Sequence, residues 1–263
     1  RFNASIAEFR LKKEQLANYF TAQEDIFELI PNQKTNQIFT PKKVVQMMIN
    51  QFEKNHPNLF TRTDSTFIDL YMKSGMYITE IVKKLFINTR VYYNSDIECL
   101  KYILENQVYG LAPTHILQGI TQSYIFGFDV EKNISRKNFI QHDIVIEAQD
   151  GKANRKLQDL FKLTNNMKFD AVVGNPPYQE QKGGTKNIDI WQNFIFSSVK
   201  IAEMAYLIHP GRWVVPKKQM ISVRDKMLKS GLKEFNYYPD ASKLFPSVAI
   251  DGGVTITLFE SNY

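Results

Sequence analysis

The chain has 263 residues, 43% of them apolar, a formal charge of +6 and one cysteine, Cys99. That is enough apolar material for one large or two small domains, and the mild basic excess suits an anionic partner such as nucleic acid. A single cysteine excludes an internal disulfide, and no apolar run approaches the ~20 residues of a membrane span, so a reducing cytoplasm is the expected setting.

Because the chain begins at Arg1 rather than Met, it reads as a fragment of a longer polypeptide. In residues 5–30, Ile6, Phe9, Leu16, Phe20, Ile26, Phe27 and Leu29 recur at helical spacing, and Pro31 ends the run. We assign 1–36 as a helical connector and 37–263 as the catalytic domain. Thr40-Pro41 starts a second helix that runs to Phe52. From there strands and helices alternate. Strands are expected at 65–72, 107–112, 137–146, 168–178, 204–210, 232–240 and 254–260. Helices are expected at 77–86, 97–106, 113–128, 190–202 and 224–230. Such alternation predicts an α/β fold, a mostly parallel seven-stranded sheet with helices on both faces. The last two strands lack a helix between them and should pair antiparallel at one edge.

Ligands in such sheets bind beyond the carboxyl ends of the strands, so the residues after each apolar run carry the chemistry. After the first strand comes Asp69-Leu70-Tyr71-Met72-Lys73-Ser74-Gly75. A small turn opening onto a helix can offer backbone N–H groups to a cofactor. After the third comes His142-Asp143. After the fourth comes Asn175-Pro176-Pro177-Tyr178. Those four residues suit one task. An exocyclic amine on a purine is a poor nucleophile because its lone pair is delocalised into the ring. Two acceptors, the Asn175 side-chain oxygen and the Pro176 carbonyl, can hold its N–H groups and stabilise the charge that develops on nitrogen. The prolines fix those acceptors, and Tyr178 offers a flat face to a base. The four histidines are scattered, and no metal-ligand spacing occurs. Trp191, Trp213 and Cys99 read as core residues.

The ordered series of motifs resembles an amino-methylating DNA methyltransferase, the N6-adenine class of restriction–modification systems in gamma-group order, similar to the type IIG enzymes. "QIFTP" (37–41), "FIDLYMKSG", "ILENQVYGLAP", "FIQHD", "NPPY", "LIHPGRWV" and "LFPSVAIDGGVTITLF" carry the likeness over residues 37–260. The resemblance implies a Rossmann-like class I methyltransferase fold and S-adenosyl-L-methionine as cofactor, bound by Phe39, Thr40, Pro41, Asp69, Ser74, Gly75, Asp143 and Asn175. It implies Asn175, Pro176, Pro177 and Tyr178 as catalytic residues, with the flipped adenine between Tyr178 and Phe245, and no metal. Lys182 and Lys186 of the glycine-bearing loop, with Arg212 and Lys217, are assigned to the DNA backbone. The implied partners are double-stranded DNA, a target-recognition domain or specificity subunit outside the fragment, and a fused upstream nuclease. Within the chain, Pro239-Asp240 and Lys243 do not make a nuclease site, since Ala241 stands two before the lysine.

Two departures from the family pattern stand out. Leu70 and Lys73 replace a proline and a glycine of the cofactor turn. Ala112 replaces the acid that holds the ribose, a role open to Glu80, Asp96 or a backbone group. Two other functions remain open. One is an RNA or protein-glutamine amino-methyltransferase, which meets the same chemical problem. The other is a methyltransferase-like DNA-binding domain without activity.

Overall fold

The computed structural model describes residues 38–129, 131–164, 168–181, 187–215, 218–246 and 248–261. The connector helix expected at 5–30, and Lys182, Lys186 and Lys217, lie outside them. The elements, in order, are α1 (Lys42–Asn55), α2 (Pro57–Thr61), β1 (Phe67–Asp69), α3 (Met76–Thr89), α4 (Asp96–Asn106), β2 (Val108–Ala112), α5 (His115–Ile125), β3 (Phe139–Gln141), α6 (Val145–Gln149), α7 (Ala153–Phe161), β4 (Phe169–Gly174), β5 (Gln179–Gln181), β6 (Asn187–Asp189), α8 (Trp191–Ile201), β7 (Ala202–Pro210), α9 (Ile221–Lys229), β8 (Leu232–Tyr238) and β9 (Val254–Glu260). Seven strands form one sheet in the order β3-β2-β1-β4-β7-β9-β8, and β5 and β6 form a separate hairpin. Among the described residues no helix is long and apolar enough to cross a membrane.

The chain divides into two compact units. The first comprises Phe39–Thr66 and Met72–His142. Here β2 and β3 run parallel, Gly110 opposite Phe139 and Ala112 opposite Gln141. Asn138 ties the approach to both strands, its Nδ2 donating to Glu105 O (3.0 Å) and Val108 O (3.2 Å). Ser95 and Thr114 cap α4 and α5, each hydroxyl accepting from the amide three residues on. Cys99 is fully buried on α4, and burial pushes its thiol up from the ordinary range.

The second unit comprises Ile38, Phe67–Tyr71 and Asp143–Tyr263. Its strands β1, β4 and β7 are parallel, with Ile68 opposite Val172 and Val173 opposite Tyr206. Strand β4 is buried along nearly its whole length, as a strand covered on both faces must be. The antiparallel strand is β9. It pairs with β7 from Met204–Glu260 to Pro210–Val254, and β8 pairs antiparallel to it as the edge.

Of the expected strands that come out shorter, three are cut back by more than two residues. Strand 65–72 shrinks to β1 because Asp69 Oδ1 accepts from the Tyr71 amide (2.9 Å) and turns the chain. Strand 137–146 stops at Gln141. Asp143 Oδ1 accepts from Val145 N (3.2 Å), and Ile144–Ile146 enters a helix instead. Strand 168–178 ends at Gly174, before the prolines, which have no N–H to donate to a ladder. Helix α7 went unread although Ala153 and Leu157 recur at a spacing of four and are its buried residues.

Candidate active site

In the second unit, the carboxyl ends of β1 and β4 bring Asp69, Gly174 and Asn175 together. Asp69 is 5% exposed and Asn175 4%. A small cavity of about 10 Å³, room for roughly one water molecule, is lined by Asp69, Leu70, Tyr71, Gly174, Asn175 and Pro176 among others. Asn175 Nδ2 donates to the Ile38 carbonyl at 3.4 Å, across 137 residues of sequence. That bond fixes which end of the amide is which: the donor faces Ile38 and Oδ1 is the acceptor end. Burial raises the Tyr178 pKa, and the neighbouring Asn175 side chain opposes the rise. The sequence gives no sign of the Ile38 partner, because a backbone carbonyl carries no residue signature.

Tyr71, which follows the β1 turn, packs edge-on against Phe194 at 5.7 Å. Its pKa is raised by burial first, then by the negative charges of Asp143 and Glu180. Asp143 itself is exposed at the start of α6. Glu180 accepts from Gln149 Nε2 at 3.1 Å. Phe245 is buried, in the turn after Ala241, whose carbonyl accepts the Phe245 amide at 2.8 Å. Arg212 is engaged by Asp189, its Nη1 standing 3.2 Å from both carboxylate oxygens. Trp191 and Trp213 are both buried around His209. Trp191 stacks on it at 5.0 Å and 7°.

In the first unit, Thr40 Oγ1 accepts from the Tyr77 hydroxyl at 3.5 Å, and the Pro41 carbonyl accepts the Val44 and Val45 amides that open α1. Phe39 is half-buried just ahead of them. Ser74 Oγ accepts from Met76 N at 3.2 Å. Gly75, the residue before α3, has φ +77°, a left-handed conformation that favours glycine. Lys73 is 6% exposed, and Ala112 is fully buried at the end of β2. Glu80 pairs with Lys83 at 2.9 Å, and Asp96 pairs with Arg90.

In charge, the donor set of the second unit suits a cationic group. Asp69, Asp143 and Glu180 are carboxylates, and the Asn175 and Pro176 oxygens are acceptors, so the surroundings are electron-rich.

Comparison with known proteins bears on the fold and the family. An uncharacterised adenine-specific methylase of Mycoplasma pneumoniae is 22% identical over 315 residues, covering 97% of this chain and 74% of the relative. A nuclease-deletion mutant of the Type ISP restriction-modification enzyme LlaGI, solved with a DNA substrate mimic, superposes with a TM-score of 0.66 at 13% identity over 86% of this chain. A type I restriction-modification methyltransferase subunit from Streptococcus thermophilus gives 0.59 at 13% identity over 88%. A protein described as a putative class I S-adenosylmethionine-dependent methyltransferase from Listeria monocytogenes gives 0.57 at 12% identity over 90% of this chain and 65% of that one. The chain spans 23% of the LlaGI structure and 46% of the Streptococcus subunit. The fold is therefore that of the class I methyltransferases. The sequence profile of the Eco57I restriction-modification methylases matches residues 106–245, more than half of the chain and inclusive of Asn175–Tyr178, and the protein belongs to that family.

Proposed function

We propose that this chain transfers a methyl group from S-adenosyl-L-methionine to the N6 amine of adenine in double-stranded DNA, as the modification part of a restriction–modification enzyme in the cytoplasm. The observation that carries the reading is the Asn175 amide. It is held at the end of β4 by its Nδ2 bond to Ile38 O, and the Pro176 carbonyl follows it directly.

The cofactor, when bound, supplies an electrophilic methyl group on a sulfonium. This chain's residues do the rest. The adenine is rotated out of the duplex. Asn175 Oδ1 and the Pro176 carbonyl accept its two N–H groups, which turns the nitrogen lone pair toward the methyl carbon. The same oxygens stabilise the positive charge that grows on nitrogen. Tyr178 and Phe245 take the ring between them. In the second unit Asp69 and Asp143 would hold the cofactor; Phe39, Thr40, Pro41, Ser74 and Gly75 of the first unit are assigned to it from the sequence motifs. Reaction would be in line, with no covalent enzyme intermediate: the N6–CH3 bond forms as the sulfonium S–CH3 bond breaks, the neutral thioether S-adenosylhomocysteine leaves, and the methylated amine gives its extra proton to water; buried Cys99, its pKa raised, is not used as a nucleophile. Catalysis is positioning and electrostatics, without a metal. Lys182, Lys186 and Lys217 would meet DNA phosphates. A recognition domain or subunit, and a nuclease, belong to the larger assembly.

The test is transfer of a labelled methyl group to duplex DNA, to ribosomal and transfer RNA, and to a release-factor protein. DNA should be labelled at adenine N6. Asn175→Ala should lower the rate by about 10²–10³. Labelling of RNA or protein in place of DNA, or full activity of Asn175→Ala, would overturn the assignment.

A further inference from the structure

The hairpin β5–β6 starts one residue after the Asn175–Tyr178 loop, with Gln179 opposite Asp189. Its base is closed twice. Ile190 N donates to Tyr178 O at 3.1 Å, and Gln179 Nε2 donates to Asp189 Oδ1 at 3.0 Å. Asp189 also receives Arg212 Nη1, and this ion pair is largely shielded, with side chains 20% and 16% exposed.

Both members of the pair stand on anchored chain. Trp191, two residues past Asp189, is stacked on His209 of β7. Trp213, next to Arg212, lies 6.3 Å from the same imidazole and donates its Nε1 to Thr255 Oγ1 on β9 at 3.1 Å. Gly211 N donates to Gly253 O at 2.8 Å, and a β-carbon at Gly252 would come within 2.9 Å of Arg212 Cβ. The guanidinium is therefore aimed by the sheet. Arg212, expected from the sequence to meet DNA phosphate, is paired with Asp189 at the base of the hairpin.

We propose that Asp189 and Arg212 form a positioning clamp that ties the exit of the Asn175–Tyr178 loop to the β7–β9 end of the sheet. The inference rests on the methyl-transfer reading for its effect on rate, though not for the clamp itself. Gln179 carries the restraint from Asp189 to the residue after Tyr178, and the Tyr178 carbonyl carries it directly. Neither member touches the reacting atoms. One guanidinium nitrogen shared between the two carboxylate oxygens holds the distance between the two segments, so a neutral or shorter partner should leave the hairpin attached but the loop free to drift.

The experiment uses Asp189→Asn, Arg212→Lys and Arg212→Ala in the whole protein. Backbone amide hydrogen exchange is followed at Asn175 and at residues 178–181, in parallel with kcat, the KM for DNA and the Kd for S-adenosylmethionine. Asp189→Asn and Arg212→Ala should speed exchange there by about tenfold. They should lower kcat by about tenfold and leave cofactor affinity within about twofold, with Arg212→Lys intermediate in both. Unchanged exchange in Asp189→Asn and Arg212→Lys, which preserve shape or charge and keep the fold if the alanine variant does not, would overturn the clamp. So would faster exchange with kcat untouched. A wild-type protein that methylates no DNA refutes the functional reading alone, and the exchange data then decide the clamp.

Discussion

A β-carbon on Gly174 would stand 2.9 Å from Asp69 Oδ1 and 3.2 Å from its carboxyl carbon. The last residue of β4 and the last residue of β1 thus lie so close that a side chain on Gly174 would push against the Asp69 carboxylate. Gly174→Ala should lower stability by about 1–3 kcal/mol through this overlap. In an Asp69→Ala background the same methyl group should cost less, a coupling that urea denaturation of the four proteins would measure. Simple additivity of the two substitutions would contradict the contact.

Asn175→Asp separates the two ends of the amide. The acceptor survives, but the donor to Ile38 O becomes an anion facing a carbonyl. Stability should fall by about 1–3 kcal/mol near neutral pH. Since the protonated acid can donate to Ile38 O, the carboxyl pKa should lie above its ordinary value. Methyl transfer by this variant should therefore recover toward mildly acidic pH, whereas Asn175→Ala should stay low throughout. A pH–rate series on the two variants checks this.

His209 is fully buried, its Nε2 within 2.9 Å of Thr257 Oγ1, and burial pushes its pKa from 6.5 down to about 3. Below about 6.5 the unfolded chain binds a proton that the folded chain refuses until about 3. Stability is therefore unaffected above that window and falls as pH drops through it, by about 2 kcal/mol at pH ~5. Denaturation at neutral pH and at pH ~5 should show a smaller difference in His209→Asn than in the wild type. Equal differences would mean that the imidazole does not stay neutral in the fold.

Gly75 combines φ +77° with crowding, since a β-carbon there would lie 2.9 Å from Thr121 Cγ2 and 3.1 Å from Ile125 Cδ1. Gly75→Ala should cost about 1–3 kcal/mol from backbone strain and overlap together. Adding Thr121→Ser should relieve part of it, as thermal denaturation of the pair would show.

Sequence alone determined the layered α/β plan and the order of its strands along the chain, and it singles out Asn175–Tyr178 as the proposed chemical centre. Apolar runs of strand and helix length are local signals, and two prolines after an amide leave few conformations open. It overextended β1 and β3, because apolar residues continue past Asp69 and Asp143 while each carboxylate turns the backbone through an amide two residues on. Only the tertiary structure decided that Ile38 O holds Asn175, that Gly174 lies against the Asp69 carboxylate, and that Arg212 faces Asp189. Each of these joins residues 23 to 137 positions apart, or uses a backbone atom common to every residue. Such contacts leave no periodicity or motif behind, since their partners are chosen by how the strands come to lie beside one another.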